Sequence, residues 1–352
     1  MKILLLSMDY PPRYAGGTTI HTQKLAHALA DLGHEVSVIS AWAEGPEWDG
    51  PVRVIRVRRP YTLFSGLKAR KIHREYDAVH GHGICAYGFM RMTGAHPVVK
   101  MHNVWSQEYR AYRAMGERRF SMLAYIRMDR YVARRASHLI CISDYVKSGA
   151  MEYGVPEERI TVIRNGVDPE MFRNLVPREI DLERPVVMYA GRLAPHKGVD
   201  ILIRAMARVK KGSLLVVGKG PSGEDLRRMC LDLDVKARFI GAVRHDDLPS
   251  YYAAADVVVY PSLYEPLGNV VLEAMASGTP VIASDTGGIP EILPPDAGFL
   301  FSGEDDLVHH LEVLLSDEDL RRRMGSKGRE IALSRTWHDV ALETVDVLRR
   351  SM

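Results

Sequence analysis

Short apolar runs alternate along the chain with longer stretches of helical period. Residues 3–6, 35–39, 52–57, 78–80, 98–101 and 139–142 are short, apolar and β-branched, the pattern of strands. Between the first two, residues 18–32 carry Ile20, Leu25, Leu29 and Leu32 at helical spacing, and Gly33 supplies a stop signal. The alternation restarts at 186–190, 214–217, 257–259 and 281–283, each run followed by a loop with Gly or Pro and then a helical stretch. Strands alternating with helices predict βαβ units on a parallel sheet. Two such series predict two doubly wound α/β domains, 1–174 and 175–335. The proline-bearing segment 168–185 lies at the junction, and an amphipathic stretch from 337 to 348 is able to dock on either domain.

Length and composition agree with this picture and narrow the function classes. A chain of 352 residues with 46% hydrophobic and 26% charged residues is an ordinary globular protein, which excludes a disordered or fibrous chain. Lys and Arg number 47 against 44 Asp and Glu, a balance of +3 that argues against a nucleic-acid partner. The balance is uneven, however: residues 1–175 hold 25 basic and 17 acidic residues, the rest 22 and 27. Three separated cysteines, Cys85, Cys141 and Cys230, support neither a disulfide framework nor a zinc site and suit a reducing, cytoplasmic setting. The apolar start is too short for a signal-peptide core, and no uncharged apolar run approaches the ~20 residues that span a bilayer. A cytoplasmic protein is expected, with peripheral contact at the membrane face left open.

Doubly wound sheets place strand ends and helix N-termini together, where phosphates are favoured by free amides and the helix dipole. Four loops stand at such places. Gly16-Gly17 precedes the first helix. Residues 191–198 follow a strand and carry Arg192 and Lys197, a planar fork and a point charge able to neutralise a diphosphate. Residues 218–223, Gly-Lys-Gly-Pro-Ser-Gly, match the dinucleotide fingerprint G-x-G-x-x-G and keep an NAD-dependent oxidoreductase open as an alternative. The match follows the second strand of its half, though, and Pro221 suits a plain helix start. The fourth loop holds Glu265, Pro266, Leu267 and Gly268, and a helix from Asn269 to Ala276 carries Glu273 about one turn in. A carboxylate among Val270, Val271, Leu272 and Met275 needs a polar partner. In the first half, His80, His82 and His102 fall at or after strand ends, placed to meet a polar ligand or simply to satisfy backbone groups; no metal site is expected of them.

Gly16-Gly17, the 191–198 loop, the Asn165-Gly166-Val167-Asp168 turn with Phe172 after it, and the E-x7-E of Glu265 and Glu273, with Gly33-His34-Glu35-Val36 and Gly287-Gly288-Ile289-Pro290-Glu291 in order, resemble the retaining nucleotide-sugar glycosyltransferases of family 4 over nearly the whole chain. The resemblance implies a GT-B fold: two Rossmann-like doubly wound domains facing across a cleft, acceptor on the N-terminal domain, nucleotide sugar on the C-terminal one, and the last helix, 336–352, returning to the first. It implies that Arg192 and Lys197 bind the donor diphosphate with the Gly16 and Gly17 amides opposite, and that Glu273 holds the ribose hydroxyls. Glu265 would meet the transferred sugar, the amides of Leu267, Gly268, Asn269 and Val270 the distal phosphate or sugar, and His102 the same sugar. No metal or other cofactor is implied. A sugar-nucleotide epimerase or a sugar phosphorylase on the same fold remains an alternative.

Two features depart from the family. Leu267 stands where many members have phenylalanine. The stretch 104–136 is unusually basic, with Arg110, Arg113, Arg118, Arg119, Arg127, Arg130, Arg134 and Arg135 against Glu108, Glu117 and Asp129. It predicts either a solvated helical face or docking on an anionic lipid or phosphorylated acceptor. His80, His82, Arg110 and Arg113 are the candidate acceptor-binding residues; a glycan, a lipid or a small molecule would serve as acceptor.

Overall fold

The leading apolar run is the centre of a sheet. The computed structural model describes residues 1–12, 16–41, 45–58, 60–117 and 119–352, and divides them into two units, Met1–Gly166 with Thr336–Met352, and Val167–Arg335. In the first unit the strands are β1 (Lys2–Leu6), β2 (Glu35–Ala41), β3 (Trp48–Asp49), β4 (Val52–Val57), β5 (Ala78–His82), β6 (Val98–Met101), β7 (Leu139–Cys141) and β8 (Ile160–Val162). They lie in the order β3-β4-β2-β1-β5-β6-β7-β8. All neighbours are parallel except the two-residue β3, which pairs antiparallel with β4. Helices on both faces bury β1 from Ile3 to Leu6, which is why it reads as an unbroken apolar run.

The last helix, Trp337–Arg350, belongs to this unit. Its Val340, Val345 and Leu348 share one apolar cluster with Ile3 and Leu5 of β1 and with Leu25 and Leu29 of the Gly17–Asp31 helix. A capping box starts it: the Asp339 amide donates to Thr336 Oγ1 and the Thr336 amide to the Asp339 carboxylate. The chain enters it close beside Gly166, where a Cβ would stand 2.4 Å from the carbonyl carbon of Thr336. That contact requires glycine.

The second unit has six parallel strands, β9 (Val186–Ala190), β10 (Ser213–Val217), β11 (Ala237–Gly241), β12 (Val257–Tyr260), β13 (Val281–Ser284) and β14 (Gly298–Phe301), ordered β11-β10-β9-β12-β13-β14. The boundary lies at 166/167 and not at 174/175. Residues 167–174 are held by the second unit: the Val167 amide donates to Arg335 O, Phe172 is buried, and Arg329 Nη2 donates to Phe172 O at 2.6 Å. The charge asymmetry survives the shift, with 26 basic against 18 acidic residues in the first unit and 21 against 26 in the second.

Candidate active site

In the second sheet the chain leaves β9 for β10 on one side and later returns to β12 on the other. The strand order therefore reverses between β9 and β12, and ligands of open α/β sheets bind at such switch points. The loops after these two strands carry Lys197 and Glu265. Lys197 closes a short 3-10 turn, Pro195–Lys197, and Gly198 follows at φ 63 before the Val199–Val209 helix. A Cβ on Gly198 would stand 2.1 Å from Pro261 O, so the β9 loop lies directly on the β12 loop.

Across that contact Lys197 Nζ lies 2.8 Å from Glu265 Oε2, with side chains 17% and 15% exposed. The Tyr260 hydroxyl donates to the same carboxylate oxygen at 2.5 Å and accepts from Lys197 at 3.0 Å; Ser262 Oγ is a more distant acceptor for Lys197 at 3.5 Å. Burial alone would push the Glu265 carboxyl upward, but the Lys197 ammonium, the Tyr260 hydroxyl and the Leu267 amide outweigh it and hold the group below the usual carboxylate range. Glu265 is thus an ionised acceptor at neutral pH, and the Leu267 amide is turned on Glu265 itself. In the following helix, Asn269–Ala276, the first intrahelical bond comes from the Val271 amide to Gly268 O, so the Gly268, Asn269 and Val270 amides precede the ladder. Arg192 is exposed, and its carbonyl accepts from the Tyr189 hydroxyl at 3.0 Å.

Glu273 has the partners its apolar surroundings require: the Tyr252 hydroxyl donates to Oε2 at 3.0 Å and His245 Nε2 lies 3.0 Å from Oε1. Neither partner is signalled by the motif, since His245 lies in the turn after β11 and Tyr252 reads as a core aromatic. Tyr260, inside β12, was hidden in the same way.

The fingerprint at 218–223 has a structural explanation. A Cβ on Gly218 would meet Gly191 O at 1.8 Å, and one on Gly220 would meet Leu193 O at 2.1 Å. The Leu193 amide donates to Lys219 O and the Ser222 amide to Leu193 O. These glycines let the β10 loop brace the loop that carries Arg192 and Lys197.

In the first unit the Gly17–Asp31 helix begins at Gly16 (φ 143) with no side-chain cap and no acidic residue in its first turn, so its opening amides suit an anion. The ends of β5 and β6 gather His80, His82 and His102. His82 Nδ1 lies 2.9 Å from His102 Nε2, and His21 stands edge-on to both rings. His21 and the fully buried Lys100, which donates to Ile163 O at 3.1 Å, were not anticipated from the sequence. His80 and His82 are 0% and 2% exposed, so the expectation that they touch an acceptor directly is corrected: of the three rings only His102 is partly exposed. Arg110 is committed to a two-point pair with Glu152 at 2.7 and 3.0 Å, while Arg113 is exposed beside the Tyr109 ring. Arg118 lies outside the described residues.

The family model described as "Glycosyl transferases group 1" matches residues 172–331, and that described as "Glycosyltransferase Family 4" matches residues 15–171. An uncharacterized glycosyltransferase of Methanocaldococcus jannaschii is 30% identical over 100% of this chain and 99% of its own length. A GDP-mannose-dependent alpha-(1-6)-phosphatidylinositol monomannoside mannosyltransferase of Mycobacterium tuberculosis is 28% identical over 99% of this chain and 98% of its own. Among solved structures, the sucrose-phosphate synthase of Thermosynechococcus elongatus superposes with a TM-score of 0.83 at 25% identity, covering 99% of this chain and 98% of that one.

Proposed function

The chain belongs to the family 4, group 1 glycosyltransferases of GT-B fold, and from that premise we propose that it moves a sugar from a nucleoside diphosphate sugar to an acceptor hydroxyl with retention of anomeric configuration. The observation that carries the reading is the Lys197–Glu265 pair at the β9/β12 switch point, a cation and an ionised carboxylate held 2.8 Å apart by two loops that glycines press together.

The chemistry follows from those charges. Negative charge grows on the leaving diphosphate, so Lys197, Arg192 and the amides of Gly268, Asn269 and Val270 act where it develops. The 3.5 Å contact to Ser262 is longer than those to Tyr260 and Glu265, and it is the one to yield to a phosphate oxygen. Glu265 is tied at Oε2 by Lys197 and Tyr260, which suits orienting sugar hydroxyls better than attack on the sugar. The leaving phosphate then receives the acceptor's proton. Glu273 holds the ribose hydroxyls; in the first unit the Gly16 and Gly17 amides suit a phosphate and His102 suits a sugar hydroxyl. Two cations supply the positive charge, so the reading needs no metal: activity survives EDTA, and its abolition with rescue by Mg²⁺ or Mn²⁺ contradicts this part.

The acceptor is read as anionic or lipid-borne. The helices Trp105–Ala114 and Met122–Arg135 expose Arg113, Arg127 and Arg134, and beside them Phe120 is 68% exposed. Asp129 is buried, which removes one of three acids from that face. Arginines with adjoining exposed apolar residues suit an anionic interface. Retention by anionic vesicles at low salt and release at high salt support the reading, and equal recovery with neutral vesicles counts against it. A thermal-shift screen tests the donor side, since a ligand at 100 times its Kd stabilises by ~2.7 kcal/mol; nucleoside diphosphates and their sugars should raise Tm, and NADH should not.

A further inference from the structure

His82 does more in this fold than fill space. Its ring is buried, Nδ1 faces His102 Nε2 at 2.9 Å, and Nε2 is buried with no hydrogen-bond partner. Burial, then the charges of His102, His80 and Lys100, keep it well below the ordinary histidine range, so the ring is neutral and carries one proton. Two placements are open. With the proton on Nε2, an N–H donor would be orphaned in the interior, which is rare and costly; with the proton on Nδ1, only a bare lone pair is left there, and Nδ1–H is satisfied by His102. His21 repeats the arrangement: its Nδ1 lies 3.0 Å from Asn165 Oδ1 and its buried Nε2 has no partner.

His102 is also held neutral, by burial first and then by Lys100 and His80. If its Nε2 accepts from His82, its own proton sits on Nδ1. His21, His82 and His102 bring ligand atoms within 4.8 Å of one another, but the Lys100 ammonium acts on all three rings and opposes a second cation among them.

We propose that His82 is a positioning residue that fixes His102 in its Nδ1–H tautomer, so that His102 meets the bound sugar as a hydrogen-bond donor and cannot take the acceptor's proton. The role at the sugar rests on the proposed transfer reaction; the tautomer does not.

The test is long-range ¹H–¹⁵N correlation of the full chain labelled at histidine, with His102 identified by loss of its signals in His102→Gln. The expected spectrum shows His102 protonated at Nδ1 and bare at Nε2; a proton on Nε2 overturns the proposal whatever the enzyme transfers. Addition of UDP-glucose or GDP-mannose, whichever stabilises the protein, should then shift the Nδ1–H signal. A correct tautomer with no shift under saturating donor overturns only the contact with the sugar. In kinetics, His82→Leu should lower kcat about tenfold, the scale of one misdirected hydrogen bond. His82→Asn, which keeps a donor at the Nδ1 position, should recover most of that loss and the His102 tautomer with it. Equal activity of the two variants, with unequal tautomers, would contradict the role at the sugar.

Discussion

A side chain at Gly287 would place its Cβ 1.9 Å from the carbonyl oxygen of Glu265. The neighbouring Gly288 repeats the contact, its Cβ falling 2.2 Å from Pro266 O, and its amide donates to Glu265 O at 3.0 Å. The turn after β13 is therefore a backbone brace for the loop that presents the carboxylate. It also gives the Gly287-Gly288-Ile289-Pro290-Glu291 motif a physical reason.

Gly287→Ala meets both a backbone clash and φ 62, a region side chains rarely adopt. It should cost more than ~2 kcal/mol and lower activity through Glu265. Gly303→Ala, with open space around its Cβ and no left-handed φ, should stay within about 0.5 kcal/mol of the parent. Denaturant unfolding of both variants checks the contrast.

Tyr260→Phe removes the hydroxyl that bonds both Lys197 and Glu265 and leaves their direct contact in place. Hydrogen bonds to charged groups contribute about 1.5–3 kcal/mol, so kcat should fall about tenfold or more while the protein still folds. Unchanged kcat beside a lowered Tm would assign the hydroxyl to stability alone.

Lys197→Met should lower kcat by about two orders of magnitude, because the lost charge acts on the leaving group. Glu273→Gln should act mainly on KM, since a ribose contact is the same in ground and transition states. Truncating Lys197 leaves Glu265 partly buried and unpaired, a loss of up to about 3–5 kcal/mol, so Lys197→Met is best also measured with Glu265→Gln. Equal losses of kcat in Lys197→Met and Glu273→Gln would remove the division of roles.

Asp129 accepts from the Trp105 amide and the Tyr153 hydroxyl, both at 3.1 Å, and burial with the nearby Glu108 charge pushes its carboxyl up to about 7. The folded state then keeps a proton that the unfolded chain loses near pH 4. This contribution is full below that value and lost as pH rises through about 7. Tm of the parent should decline over that window by more than Tm of Asp129→Asn, and the variant should be the more stable at pH 8. Thermal melts from pH 4.5 to 8 check it; parallel curves would contradict it.

Strands such as β9 and β12 were legible because they are apolar throughout, and β1 because only its leading Lys2 is not. Those that escaped are short, charged or at an edge: β3 has two residues, β8 is Ile-Thr-Val, β11 includes Arg238 and Gly241, and β14 opens with Gly298. Lys197 and Glu265 stood out because each follows a strand end in a Gly or Pro loop. Their shared partner did not, because a tyrosine inside a buried strand looks like packing and its hydroxyl is aimed only by the fold. Lys100 was unreadable for the opposite reason: a lysine in a strand suggests an exposed face, yet it is fully buried beneath the histidines.

Sugar transfer is measured as acceptor-dependent release of diphosphate with formation of a glycoside. With donors labelled in the sugar and vesicles or glycans as acceptors, label should enter the acceptor in step with free nucleoside diphosphate, and the product should keep the donor's anomeric configuration. An unchanged nucleotide with the sugar epimerised, release of sugar phosphate, or a product of inverted configuration would contradict the account.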